Sequence, residues 1–195
     1  MDETVISCAD ARHIITSGRM MSGMQVDIRT LMLYPIAEQC ACDIYLDLLK
    51  RYDEKQADLE ERYGPDSKEA YELMVEKSYV AESSYIPEKC ACDILGSLAK
   101  DKRHYLRQAV ARNPTIPEEC RCEILIELAS KIGEIAKDMP IKTDSYFGTR
   151  QSVAMRRDVP PECREKILAK LVLDPNGYVR KAAKRAYPVK NIKMW

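Results

Sequence analysis

The sequence predicts an all-α protein, a short right-handed α-solenoid of about four to five two-helix repeats with two insertions. Three observations carry that expectation. A phrase ending in cysteine returns four times, as Ala37-Glu38-Gln39-Cys40, Pro87-Glu88-Lys89-Cys90, Pro117-Glu118-Glu119-Cys120 and Pro160-Pro161-Glu162-Cys163, at separations of 50, 30 and 43 residues. The same apolar columns follow each copy: Ile44, Ile94, Ile124 and Ile167 four residues on, then Leu48, Leu98, Leu128 and Leu171 eight residues on. A second set of segments places an arginine beside an apolar face: Ile28-Arg29, Leu106-Arg107, Thr149-Arg150 and Val179-Arg180. Such recurrence is the mark of stacked units, each too small to bury its own apolar face.

The chain is read as one domain over residues 1–195. Residues 1–34 form a degenerate amino-terminal cap, since a terminal unit has one side in water; Met20, Met21 and Met24 lie within it. Residues 35–85 form the first repeat with a long insertion. Residues 50–80 are charged and helix-favouring, and Gly64-Pro65-Asp66-Ser67 divides them into two long helices. Residues 86–195 carry the regular repeats, apart from a longer connection over residues 131–145 that contains Pro140.

Within a repeat, proline opens the first helix, where its missing N–H costs nothing. The glutamate behind it meets the positive end of the helix dipole. Positions 0, +4 and +8 from the cysteine make one stripe and +5 and +9 a neighbouring one, so the apolar arc is wide enough for a helix packed between others. The turn behind this helix carries Asp101, Asp144 or Asp174, six residues before an arginine, and aspartate favours helix N-caps. The arginine-bearing helices then stop before Pro35, Pro114 and Pro188.

Residues 173–183, Leu-Asp-Pro-Asn-Gly-Tyr-Val-Arg-Lys-Ala-Ala, resemble the HEAT-repeat core pattern of Asp, Val-Arg and Ala-Ala. Residues 106–117, through Val110-Ala111, Asn113-Pro114 and Pro117, resemble the leucine-rich repeat variant family, which is HEAT-like. The likeness covers residues 86–188 well and 26–50 loosely. What it implies is a HEAT-like α-solenoid; short degenerate repeats imply an architecture and no activity.

Apolar content of 46% and charged content of 32% place the chain among globular proteins. No apolar run is long enough to cross a membrane, and the acidic start Met1-Asp2-Glu3-Thr4 has no secretory signal pattern. A cytoplasmic chain with reduced thiols is therefore expected. The three Cys-x-Cys pairs, Cys40/Cys42, Cys90/Cys92 and Cys120/Cys122, diverge by about 200° on a helix, which suits no metal site. Neighbouring helices lie about 8–10 Å apart, so cysteines one repeat apart are expected to miss one another. The first cysteine of each copy then reads as a small buried hydrophobe, with metal binding or redox switching as the competing readings. No cofactor and no metal is expected.

The net charge is zero, yet Lys142 to Lys193 holds thirteen basic residues against five acidic ones. Such polarity can steer a charged partner to one end. Candidate partner-binding residues are Arg107, Arg150, Arg156, Arg157, Arg180, Lys181, Lys184 and Arg185. The bland reading makes Asp101, Arg107, Asp144, Arg150, Asp174 and Arg180 a ladder of caps and ion pairs, and the remaining basic residues a solvated face. With only His13 and His104, seven glycines and no nucleophile or phosphate-loop motif, an enzyme is not expected. HEAT-like DNA glycosylases use a basic face with Asp and aromatic residues, but the only Trp here is Trp195. The expected function is non-enzymatic binding or scaffolding, most of all of another protein through an acidic surface or extended segment. Nucleic-acid binding through the basic repeats is the alternative, and no membrane partner is expected.

Overall fold

The computed structural model describes residues 5–17, 31–32, 34–65, 67–130 and 147–186. They form nine helices: α1 (Cys8–Ser17), α2 (Glu38–Tyr63), α3 (Lys68–Glu82), α4 (Glu88–Ala99), α5 (His104–Arg112), α6 (Glu118–Ser130), α7 (Phe147–Met155), α8 (Pro161–Leu171) and α9 (Gly177–Ala186). Among the described residues no strand occurs and β pairing is confined to a single bridge, so the chain is all-α. The connection at 131–145, with Asp144, lies outside the described residues, as does most of the segment between α1 and α2.

The recurring phrases start helices, as their prolines and glutamates require. Glu88 and Glu118 open α4 and α6, and Pro160 stands at the N-cap of α8. Every residue of the two columns is buried, from Ile44 and Leu48 to Ile167 and Leu171. The long insertion is a pair of helices. The helix of Cys40 runs on to Tyr63, Gly64 turns the chain with φ 88°, and the Ser67 hydroxyl accepts the Ala70 N–H at 3.2 Å to start α3. A Lys77–Asp53 ion pair at 2.6 Å ties α3 back to α2.

By contacts the chain divides into two compact units, residues 1–94 with 113–115 and residues 95–112 with 116–195. In the first, α2 packs against α1 and α3. A parallel bridge between Ile6 and Ile36 sets the starts of α1 and α2 side by side. The Tyr45 hydroxyl lies 2.9 Å from the Ser83 hydroxyl in the core, and burial pushes the Tyr45 pKa up to about 12 despite that bond. Asn113 donates to the carbonyls of Ala81 and Ser83 at 2.7 and 3.2 Å, satisfying groups left open where α3 ends.

In the second unit α7 packs against both α5 and α9, and α6 packs against α8. The arginine-bearing helices thus form one row and the cysteine-bearing helices another. Gly148 lets the first row close up, because a Cβ there would sit 3.0 Å from the Gln108 amide nitrogen.

The cysteines correct the sequence expectation. None of the eight is free. Cys8 is bonded to Cys40, Cys42 to Cys90, and Cys122 to Cys163, with Cα separations of 5.9, 5.9 and 5.6 Å. Cys92 and Cys120 are disulfide-bonded as well. The expected miss compared the wrong distance: helices about 8–10 Å apart at their axes carry facing Cα atoms only about 4–5 Å apart, since each Cα stands about 2.3 Å off its axis. The divergence of about 200° that rules out a shared metal is what lets one helix bond a neighbour on each side. The reduced thiols expected of a cytoplasmic chain are therefore not what the fold contains.

Each bond closes a loop of 32, 48 or 41 residues. Chain-entropy arguments assign such a loop about 4 kcal/mol. We predict that Cys122→Ala with Cys163→Ala lowers the melting temperature by on the order of 10 °C, read by circular dichroism against the oxidised parent; an unchanged melting temperature would show that the bond holds nothing together.

Candidate anion-binding groove

Of the eight candidate arginines and lysines two are buried, two half-buried and four exposed. Arg150 on α7 is 2% exposed and grips Asp174, itself 1% exposed, through Nε–Oδ2 at 2.6 Å and Nη2–Oδ1 at 3.1 Å. Its reach to the turn before α9 makes the pair a brace between successive units of the row. Arg107 is 2% exposed and donates to the Asp101 carbonyl, and Arg180 donates to the Asp174 carbonyl at 2.7 Å, the same six-residue reach in both. Arg156 pairs with Asp158 and donates to the Ala111 carbonyl at 3.1 Å. Burial removes Arg107 and Arg150 from any partner-binding surface, and half-buried Arg156 is held by Asp158 and the Ala111 carbonyl.

The aspartates also depart from their expected caps. Asp174 accepts the Asn176 N–H at 2.8 Å, while the N-cap of α9 is Asn176, whose side chain accepts the Tyr178 N–H at 2.9 Å. Asp101 accepts the Arg103 N–H and holds its guanidinium at 2.8 and 2.7 Å. Asp158 stabilises the turn between α7 and α8. Its carboxyl is held below its ordinary pKa chiefly by the hydrogen bond from Arg156, with the Arg156 and Arg121 charges adding to it against desolvation.

Arg157, Lys181, Lys184 and Arg185 are exposed. Three of them, Arg157, Lys181 and Arg185, line a groove of about 470 Å³ together with Arg164, Gln151, Met155, Tyr178, Ala182 and Ala186. Among the described residues no carboxylate lines it. Each wall follows from local structure. On α9, Tyr178, Lys181, Ala182 and Arg185 recur at i, i+3, i+4 and i+7 and so share one face. On α7, Gln151 and Met155 stand one turn apart. Asp158 fixes the turn that presents Arg157, and Arg164 on α8 donates to the Ala186 carbonyl at 3.2 Å, placing its charge at the end of α9.

Outside the eight candidates the groove also takes in Arg164, Met155 and Tyr178, the last two 64% and 68% exposed. Only the position of Tyr178 three residues before Lys181 and seven before Arg185 could have signalled its membership. The arrangement can bind negative charge beside an apolar surface. Its lining, among the described residues, holds no histidine, cysteine or carboxylate. Among the described residues no cluster suited to a metal ion occurs. Comparison with known protein families, curated proteins and solved structures gives no match.

The Arg150–Asp174 brace generates a stability prediction. Arg150→Met leaves a buried carboxylate without its counter-charge and is expected to cost about 3–5 kcal/mol. Adding Asp174→Asn removes that charge, so the double variant should lose less than the two single losses together. Urea denaturation of the four proteins measures this; strict additivity would contradict the pairing.

Proposed function

We propose that this chain is a non-enzymatic binding module that holds an acidic macromolecular partner in the basic groove of its second unit. The supporting observation is the separation of its cations: Arg107 and Arg150 are buried in the fold, while Arg157, Lys181 and Arg185 are turned outward along a groove with no acidic side chain among its described lining residues. In this reading the two rows of the second unit are a segment of HEAT-like α-solenoid, whose purpose is a rigid, extended surface. A protein partner is the first choice, because the groove sets apolar side chains among its charges. Nucleic acid is the second reading, favoured by the cations alone.

The disulfides support a working environment that is oxidising, in place of the reducing cytoplasm expected from the amino terminus; intracellular proteins of hyperthermophiles are the known exception to that rule.

Wild-type protein is expected to bind fluorescein-labelled oligoglutamate, with affinity falling as salt rises from about 0.05 to about 0.3 M. Lys181→Glu with Arg185→Glu should reduce binding at least about tenfold, a modest demand for two reversed charges. Arg112→Glu, an exposed change on α5, should leave it unaltered. Equal binding by all three proteins in fluorescence anisotropy rejects the groove as the site.

A further inference from the structure

Resting on the basic-groove reading, we infer that the groove recognises a short acidic segment with an apolar side chain between its carboxylates, an acid–apolar–acid triplet in extended form. The face of α9 gives the length. From Tyr178 to Arg185 the helix rises about 10 Å at 1.5 Å per residue. Extended chain covers that in about three residues at roughly 3.3 Å each. The charges and apolar groups alternate along that distance: Tyr178, then Lys181 above the small Ala182, then Arg185 beside Ala186. Met155 supplies the apolar contact from α7, and Arg157 and Arg164 add charge from the next turn and helix.

The apolar groups are what discriminate between partners. Met155 and Tyr178 are among the most exposed large apolar side chains of the described residues, and they line one groove. A phosphate backbone alone has no use for a thioether, whereas methionine adapts readily to aliphatic side chains at peptide-binding surfaces. A single strand of nucleic acid is held by successive aromatic platforms. Among the described residues one aromatic ring, that of Tyr178, lines the groove. Phe147 lies beside Tyr178 with ring centroids 6.0 Å apart and planes tilted by 34°, so it buttresses that ring and offers no second parallel platform. In an extended triplet the middle side chain points away from its two neighbours, so with the carboxylates on Lys181 and Arg185 of α9 it turns toward Met155 on α7.

The test uses the full oxidised chain and three fluorescein-labelled probes of equal length: a peptide of repeated Glu-Leu-Asp triplets, the same peptide with glycine for leucine, and oligo(dT). The leucine peptide is expected to bind roughly ten- to a hundredfold tighter than the glycine peptide, the worth of one buried aliphatic side chain. Met155→Ser with Tyr178→Ser should erase that preference while keeping weak, salt-sensitive binding of both peptides. Both positions are exposed, so an unchanged melting temperature certifies the fold. Equal binding of the two peptides, or tighter binding of oligo(dT), overturns the triplet assignment; if Lys181→Glu with Arg185→Glu still weakens them, the basic groove survives as a site for other anions. Failure of all three probes to bind overturns the groove reading and the triplet together.

Discussion

Two residues two positions apart on a helix point nearly opposite ways, and this chain places a cysteine at each. Cys40 bonds back to α1 and Cys42 forward to α4, so α2 is held covalently on both sides at its first turn. The Cys122–Cys163 bond repeats the rule between α6 and α8 in the second unit. Because these bonds lie at the phrases that start the helices, they fix the register of helix beginnings. The isoleucine and leucine columns one and two turns later then meet at the same height. A helix of some twelve residues has little stability alone, and pinning its first turn lowers the entropy of bringing the next apolar face into place.

Polar burial performs the corresponding task for the arginine-bearing row. Helices with short apolar faces such as α7 and α9 leave room between units, and Arg150 fills it with a long side chain whose charge is met in full by Asp174. Buried pairs of this kind add little net stability over a hydrophobic filling, but they punish misalignment, since a shifted register strands both charges. The same economy shapes the surface. Arg107 and Arg150 are used inside, whereas Arg157, Lys181 and Arg185 stay exposed along the groove.

The apolar columns were legible in the sequence because helical periodicity is a local property, and each predicted column residue is buried. The paired helices of the insertion were legible for the same reason, with Gly64 marking the turn. The cysteine pairing was not, because it depends on the distance between facing backbones and on which face each cysteine presents. A spacing argument made with helix axes overestimates that distance by two helix radii. Among the basic residues, sequence gave the cluster but no means of separating Arg150 from Lys181. That difference arises from contacts between residues 24 positions apart, Arg150 and Asp174. Asn113 was readable only as part of a resemblance, whereas its physical task is to satisfy the carbonyls of Ala81 and Ser83. Met155 escaped notice because a lone exposed thioether carries no sequence signature.

Disulfides linking successive helices hold this stack together. Peptide mapping of the unreduced protein by mass spectrometry tests this most directly. The expected products are peptides joined through Cys8–Cys40, Cys42–Cys90 and Cys122–Cys163, with no thiol open to alkylation. Alkylated cysteines throughout, or bonds closed within a single Cys-x-Cys pair, would contradict it.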